Sequence, residues 1–317
     1  MMASFDSINY SIRPSKSVQR GIVFEGLRRI ANKIDLDNAV YIGFGSIWFT
    51  DFVQAHKILH IDDMVSIEAN DIGFRRATFN KEYRTISVME GRASARLPDV
   101  LAIDGYNARP WVVWLDYDCA LNEEIVEDMQ WVLANAPPSS VVLFTFSANA
   151  TQTAYGKPRN RPDRVRALLG DVVPDELSKD ACEKETLPTT LAGLVSDFLK
   201  SEAADAARPG GFIDAFRLPY LDSVAMVTVG GILPAREDTA SVRAMVADAS
   251  WGGIVDEIIE APPMTLREIA TLQAELPAVA ELTRARIQEL GFDLHERQIR
   301  SFQNYYKYLP SFAEIVA

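Results

Sequence analysis

The stretch that decides the fold is residues 39–60, AVYIGFGSIWFTDFVQAHKILH. It begins with an apolar run, continues through Gly43, Phe44, Gly45 and Ser46, and ends in a segment with helical spacing. A strand, a glycine-containing turn and a helix in this order are typical of the first unit of an α/β domain. The sequence therefore predicts a parallel sheet whose first strand ends at a tight turn.

Further strand-like runs follow this unit. The next four lie at residues 64–68, 85–89, 111–115 and 141–146. The last two of them are continuously apolar, as expected for parallel strands that are covered on both faces. Residues 212–216 and 225–229 are joined by a connection short enough for an antiparallel pair. The predicted fold class is α/β, a doubly wound Rossmann-like sheet with a terminal antiparallel strand pair, a helical insertion and a helical C-terminal extension.

Three regions are expected along the chain. Residues 1–36 are predicted to form an N-terminal lead and a helix that runs from about residue 16 to residue 33. Residues 37–235 form the α/β domain, whose polar residues 150–210 are a helical insertion. Residues 236–317 form the helical extension, where Tyr305, Tyr306, Tyr308 and Phe312 are expected to dock the helices on the core or on a second subunit. These helices are the predicted surface for a homo-oligomer or a protein partner; an aromatic platform for stacking bases is the weaker alternative.

Composition and charge exclude several classes of function. The formal net charge of -12 opposes the phosphate backbone, so no duplex DNA partner is expected. The basic run at residues 157–166 lies in the insertion, whose length predicts a lid over a cleft. RNA contact is a weaker alternative, and a solvated surface is the simpler interpretation of the basic run. No apolar run approaches the roughly 20 residues that cross a bilayer. The first residues also lack the pattern of a secretion signal, so a cytoplasmic protein without a membrane partner is expected.

The order of elements over roughly residues 39–234 resembles the class I S-adenosylmethionine (SAM) dependent methyltransferases, whose sheet ends in the same antiparallel pair. A dehydrogenase-type Rossmann domain lacks that pair. The whole chain, with YSIRPSK at residues 10–16 and YYKYLPSF at residues 305–312, also resembles bacterial proteins described as O-methyltransferases. The resemblance implies SAM as the cofactor and methyl transfer as the reaction.

The resemblance implies a cofactor-binding turn after the first strand. The family usually has an acidic residue and a hydrophobic residue before Gly-x-Gly-x-Gly, where this chain has Tyr41, Ile42, Gly43, Phe44, Gly45, Ser46 and Ile47. Two glycines are retained, and they let the backbone approach the cofactor. Relief of crowding at a tight turn is the alternative. The expected cofactor-binding residues here are Tyr41, Gly43, Phe44, Gly45 and Ser46.

Two more strand ends contribute to the expected cofactor site. Glu68, 23 residues after Gly45, stands where the family places the acid that binds the ribose hydroxyls. An exposed carboxylate at a strand end is the alternative. Glu90, Gly91 and Arg92 lie where the family often has Gly-Asp-Ala for the adenine amino group. Because Arg92 replaces the acid, Glu90 or a main-chain carbonyl would have to bind the adenine.

The fourth strand ends in Asp116, Tyr117 and Asp118, at the edge where doubly wound sheets bind ligands. We expect at least one of Asp116 and Asp118 to line the substrate cleft as a catalytic base or hydrogen-bond acceptor, and Asp116 also to contact the cofactor. With Asn149 they also resemble the magnesium ligands of catechol-type O-methyltransferases, a weaker interpretation, so no metal is predicted. Capping of the next helix by Asp118 is a further alternative. The strand end lacks the Asn/Asp-Pro-Pro-aromatic tetrad, which disfavours base amino groups as acceptors.

Several basic side chains are further candidates for the functional site. His56 could transfer a proton, although a solvated helix surface is the simpler interpretation. Arg13, Lys16 and Arg20 could bind an anionic substrate or the carboxylate of the methionine part of SAM. A solvated basic helix face is their alternative.

The predicted function is SAM-dependent methyl transfer to an oxygen or another non-amino acceptor. The alternative is a catalytically inactive methyltransferase-like scaffold or interaction protein, because Tyr41, Ile47 and Arg92 all depart from the family pattern within the expected site. A nicotinamide dinucleotide enzyme is a weaker third interpretation, since Ile47 and Thr50 interrupt its glycine spacing.

Overall fold

The computed structural model describes residues 13–278 and 280–310, which contain one seven-stranded sheet in the order β3-β2-β1-β4-β5-β7-β6. The strands are β1 (Val40–Gly43), β2 (Met64–Glu68), β3 (Ile86–Glu90), β4 (Trp111–Ala120), β5 (Ser140–Ser147), β6 (Ile213–Leu221) and β7 (Ala225–Leu233). The helices are α1 (Pro14–Ala31), α2 (Thr50–Leu59), α3 (Asp71–Asn80), α4 (Ala93–Leu101), α5 (Glu123–Asn135), α6 (Gln152–Tyr155), α7 (Arg161–Leu169), α8 (Leu187–Asp205), α9 (Thr239–Val246), α10 (Leu266–Ala274), α11 (Arg284–Glu289) and α12 (Glu296–Tyr305).

The predicted fold class is confirmed. Strands β1 to β5 pair in parallel, whereas β7 runs antiparallel to both β5 and β6. Every residue of β5 is buried, as the continuous apolar run predicts for a central strand covered on both faces. Across the described residues, no helix has the length and apolarity needed to span a membrane.

The terminal strand pair is longer than the sequence predicts. Residues 217–221, which were predicted to lie in the connection between the two strands, continue β6 to Leu221. Strand β7 extends beyond its predicted end to Leu233. The outer edge of β6 is itself covered. Arg217 and Tyr220 form parallel bridges with Ile254 and Ile259, so the N–H and C=O groups of this edge strand find partners within the chain.

The C-terminal extension is helical from α10 onwards, near the predicted start at about Met264, and has one short helix, α9, before a non-helical segment. Residues 247–265 between α9 and α10 contain no helix, and part of this segment lies along β6 through the two bridges. The pairing was not predicted, because its partner is the outer edge of β6, nearly forty residues earlier in the chain. Helices α10, α11 and α12 surround a separate small apolar cluster that includes Leu272, Ile287 and Phe302.

The expected docking of the C-terminal aromatic residues is confirmed for two of them. Tyr305 and Tyr308 pack against the main core cluster on the α1 side of the sheet. Tyr306 packs instead on the small cluster between α10, α11 and α12. Phe312 lies outside the described residues.

Helix α1 packs its apolar face on the sheet. Its residues Val18, Ile22, Phe24, Leu27 and Ile30 are buried in one cluster with side chains from β1, β4 and β6. The helix begins at Pro14, two residues before the predicted start, because proline is well suited to the first helical turn, where its missing N–H costs nothing.

The first turn of α1 is fixed to the end of β6. The main-chain N–H groups of Ser15 and Lys16 donate to the carboxylate of Asp222 at 3.0 and 3.2 Å. The hydroxyl of Ser15 donates to the carbonyl oxygen of Leu221 at 2.7 Å. A carboxylate at a helix N-terminus binds the free N–H groups and interacts favourably with the helix dipole. The turn is thereby held at the carboxyl edge of the parallel strands.

We expect Phe24→Ala to lower the free energy of unfolding by about 3–5 kcal/mol, because it removes a fully buried ring and leaves a cavity. The Phe24 side chain is 1% exposed, and its ring centroid lies 6.2 Å from that of Trp114. Urea unfolding measures the change. Arg28→Ala on the exposed face of the same helix is the control and should leave the midpoint unchanged. Equal effects of the two substitutions would contradict the packing described for α1.

Candidate active site

A cavity of about 540 Å³ opens at the carboxyl edge of the parallel strands. It lies where the strand order reverses, between β1 and β4, which is the position at which open parallel sheets bind their ligands. Its walls come from the turn after β1, the ends of β2 and β4, and the loop after β3. The elements predicted to form a site therefore meet in one cavity.

Most of the predicted site residues border this cavity. Those that line it are Phe44, Gly45, Ser46, Glu68, Gly91, Arg92, Asp116 and Asp118. Those that do not line it are Tyr41, Gly43, Glu90 and His56. The cavity is also lined by residues that were not predicted, among them Trp48, Asp51 and Cys119.

Close packing at the turn requires both glycines. A Cβ atom on Gly43 would lie 2.8 Å from the main-chain oxygen of Trp114. A Cβ atom on Gly45 would lie 2.5 Å from the ring of Phe49 and 2.9 Å from the hydroxyl of Ser66. Crowding thus accounts for Gly43, whereas Gly45 both relieves crowding and borders the cavity.

The turn after β1 is longer than predicted. Helix α2 begins at Thr50 and not directly after Ser46, because Ser46 and Phe49 have left-handed backbone conformations with φ of 52° and 46°. The Phe49 ring is fully buried beside Gly45. Ile47, at the position of the third glycine of the family, is also buried. The additional loop residues include Trp48, which lines the cavity and is 38% exposed.

Tyr41 acts on the cavity through Asp51. Tyr41 is fully buried, and its hydroxyl donates to Oδ2 of Asp51 at 2.7 Å. Burial raises the pKa of Asp51, while the positive charge of Arg20 and the Tyr41 hydrogen bond act in the opposite direction. Arg20 and Asp51 both line the cavity. Asp51 was not predicted as a site residue. The sequence feature that could have indicated it is its position as an acidic residue at the start of the helix that follows the glycine turn.

Lys16 and Asp116 form a buried ion pair. Nζ of Lys16 lies 2.7 Å from Oδ2 of Asp116, and the lysine side chain is 4% exposed. The ammonium group also lies 5.1 Å from the centroid of the Trp114 ring and 5.4 Å from that of Tyr220. Burial lowers the pKa of Lys16, and the charge of Asp116 opposes this shift. The alternative of a solvated basic helix face was wrong for Lys16 and Arg20, since both are buried.

Asp116 and Asp118 act at different places in the cavity. The negative charge of Asp116 affects Lys16 and Asp51, whereas that of Asp118 affects Glu68. The two carboxylates would share one face of a regular strand, but the pairing of β4 with β5 shifts between Asp116 and Ala120.

Two alternative roles for the β4 carboxylates find no support. Asn149 does not line the cavity, and residues 13–278 and 280–310 contain no group of three or more His, Cys, Asp or Glu that could hold a metal ion. Capping of α5 by Asp118 was wrong. Asn122 is the N-cap, and its side-chain oxygen accepts from the N–H of Ile125 at 3.0 Å.

The other end of the cavity contains Glu68. Its Oε1 accepts from the main-chain N–H of Asn70 at 2.9 Å. Burial is the main cause that raises the pKa of Glu68, and the negative charge of Asp118 adds to it. The main-chain oxygen of Glu90 accepts from Nε of Arg96 at 2.6 Å, so this carbonyl is already engaged.

Arg92 and Tyr117 shape the walls near Glu68. Arg92 pairs with Glu124 at 2.6 Å, and both residues line the cavity. The rings of Phe44 and Tyr117 make an edge-to-face contact, with their centroids 5.0 Å apart. The Tyr117 hydroxyl donates to Oδ2 of Asp128 at 2.6 Å, and burial raises the pKa of Asp128 to about 6. Arg92, at the position where the family often has the acid that binds adenine, is thus held in its ion pair with Glu124.

Two predicted elements lie away from the cavity. Nδ1 of His56 is 3.1 Å from the main-chain oxygen of Ile61 and 3.2 Å from Asp62, outside the cavity wall. None of residues 157–166, the segment predicted to form a lid, lines the cavity in the structure. Arg161 is buried and donates to the main-chain oxygens of Cys182 and Ala150, so it stabilises the local fold.

Among solved structures, the chain is similar to Trm1 from Pyrococcus horikoshii in complex with S-adenosyl-L-methionine, with 13% identity, a TM-score of 0.46, and coverage of 76% of this chain and 61% of Trm1. It is also similar to Aeropyrum pernix fibrillarin with bound S-adenosyl-L-methionine, with 10% identity, a TM-score of 0.35, and coverage of 61% and 66%. No curated protein sequence matches the chain.

The comparison with protein families gives a match over nearly the whole sequence. One family model covers residues 8–317, which include the helix α1, the α/β domain and the C-terminal extension. The chain belongs to the family described as "Putative O-methyltransferase".

Proposed function

We propose that the chain transfers the methyl group of SAM to an oxygen atom of its acceptor. The observation that carries this proposal is the cavity at the carboxyl edge of the sheet, which is bordered by Gly45, Glu68 and Asp116. Its volume of about 540 Å³ lies within the range of small-molecule and cofactor sites. The family description supports methyl transfer and names oxygen as the acceptor atom.

The residues of the cavity fit SAM. Nε of Arg20 and the hydroxyl of Ser46 are buried and have no hydrogen-bond partner among the described residues. Both residues line the cavity. Leaving buried polar groups unpaired is costly, so such groups at a cavity wall indicate a ligand with polar atoms. The carboxylate of Glu68 would bind the ribose hydroxyls, and Gly91 would border the adenine.

Positioning is the main contribution that we assign to the protein. When bound, SAM supplies a reactive methyl group on a positively charged sulfur. The chain holds both reactants in line and excludes water between them. The carboxylate of Asp116, fixed by Lys16, accepts the proton of an acceptor hydroxyl. An oxygen acceptor is further supported by the absence of the Pro-Pro-aromatic tetrad after Asp116.

The scaffold alternative depended on three departures from the family pattern. In the structure, the Tyr41 hydroxyl is bound to a carboxylate that does line the cavity, that of Asp51. Ile47 packs into the protein, and Arg92 is neutralised by Glu124. None of the three therefore fills the cavity with an unpaired group, and an enzyme remains the better-supported proposal.

Calorimetric titration with SAM and S-adenosylhomocysteine tests the proposal. We expect both ligands to bind, and Glu68→Ala to weaken both by about 10- to 100-fold, because charge-assisted hydrogen bonds to the ribose are lost. Glu237→Ala, which removes an exposed carboxylate after β7, is the control and should change nothing. Absence of heat with either ligand on the unmodified protein would contradict the proposed function.

The pH dependence of binding tests the role of Glu68 separately. Only the ionised carboxylate accepts hydrogen bonds from both ribose hydroxyls. The affinity for 5′-methylthioadenosine, which carries the ribose but lacks the amino-acid part of SAM, should therefore fall as the pH decreases through the Glu68 pKa. Because burial raises that pKa, the fall should begin at a higher pH than for an exposed glutamate. Titration at a series of pH values measures it. If Glu68→Gln shows the same pH dependence, Glu68 is not the ribose ligand.

A further inference from the structure

We infer that Arg20 and Asp51 bind the two charged groups of the methionine part of SAM, the guanidinium binding the α-carboxylate and the Asp51 carboxylate binding the α-ammonium. This inference rests on the proposed function. It assigns recognition of the amino-acid part to residues outside the glycine turn.

The first support is the placement of opposite charges at one end of the cavity. Arg20 comes from α1 and Asp51 from the first turn of α2, and both line the same cavity as Glu68. The positive charge of Arg20 affects the pKa of Asp51, so the two groups are electrostatic neighbours. A neighbouring cation and anion match a zwitterion, whose carboxylate and ammonium groups lie on one carbon atom.

The second support is that Arg20 has unused hydrogen-bonding capacity. Arg20 is only 6% exposed, and its buried Nε has no hydrogen-bond partner among the described residues. A buried guanidinium with a free donor requires an acceptor. Its forked N–H groups suit the two oxygens of a carboxylate.

The third support is that the other charges at this end are already paired. Lys16 lies one turn before Arg20 on the same face of α1, and its ammonium is bound to Asp116 at 2.7 Å. The Tyr41 hydroxyl donates to Oδ2 of Asp51 at 2.7 Å and so orients this carboxylate. Arg20 and Asp51 are consequently the pair of charges available to a ligand.

Two ligands that differ only in the amino-acid part test the inference. S-adenosylhomocysteine carries this part, whereas 5′-methylthioadenosine keeps the adenosine and the thioether but lacks it. We expect Arg20→Gln and Asp51→Asn each to weaken S-adenosylhomocysteine binding by about 10- to 100-fold and to leave 5′-methylthioadenosine binding unchanged. Arg28→Gln on α1 and the exposed Asp62→Asn are the matched controls and should affect neither ligand.

Alkylation of cysteine provides a second readout that also monitors folding. The chain has two cysteines, and both are free: Cys119 is exposed and lines the cavity, whereas Cys182 is buried. S-adenosylhomocysteine should slow the reaction of Cys119 with N-ethylmaleimide in the unmodified protein, at concentrations about 10- to 100-fold lower than in Arg20→Gln. A variant that fails to fold is recognised because Cys182 then reacts as well.

The possible results separate this inference from the proposed function. A selective loss for S-adenosylhomocysteine supports the assignment of Arg20 and Asp51. Equal losses for the two ligands, or no loss for either, overturn the assignment while the proposed function stands. If neither ligand binds the unmodified protein, the proposed function fails and this inference fails with it.

Discussion

The ion pair between Lys16 and Asp116 connects the N-terminal helix to the end of the central strand β4, and the arrangement of the cavity depends on it. Removing two charges from water is costly, and the attraction between them compensates only when the geometry is good. Here the atoms are 2.7 Å apart, and the rings of Trp114 and Tyr220 also face the ammonium. The pair fixes the first turn of α1 over the edge of the sheet and thereby places Arg20 in the cavity wall.

Charges along the cavity are distributed so that each end can bind a different part of one ligand. Glu68 at one end lies near the negative charge of Asp118 and suits neutral hydroxyl groups. At the other end Arg20 and Lys16 balance Asp51 and Asp116. The cavity wall also includes the apolar and aromatic side chains of Phe44, Ile67 and Trp48. This pattern matches a molecule with a sugar at one end and a zwitterion at the other.

Local patterns were sufficient to predict the sheet and the strand ends that border the cavity. Apolar runs and the glycine turn determine where strands begin and end, and parallel strands place Gly45, Glu68 and Asp116 at one edge. Burial of Lys16 could not be predicted, because it depends on contacts of Ser15 with Leu221, 206 residues away. The role of Asp51 depends on the Tyr41 side chain and on the left-handed residues that lengthen the turn. The segment along β6 was missed because its partner is a strand edge and not a local pattern.

A crystal structure of the protein with S-adenosylhomocysteine tests the central claim most directly. The account predicts that the ribose hydroxyls lie within hydrogen-bond distance of the Glu68 carboxylate, and that the amino-acid part lies between Arg20 and Asp51. A ligand bound outside the cavity at the carboxyl edge, or one with its amino-acid part at Glu68, would contradict the account.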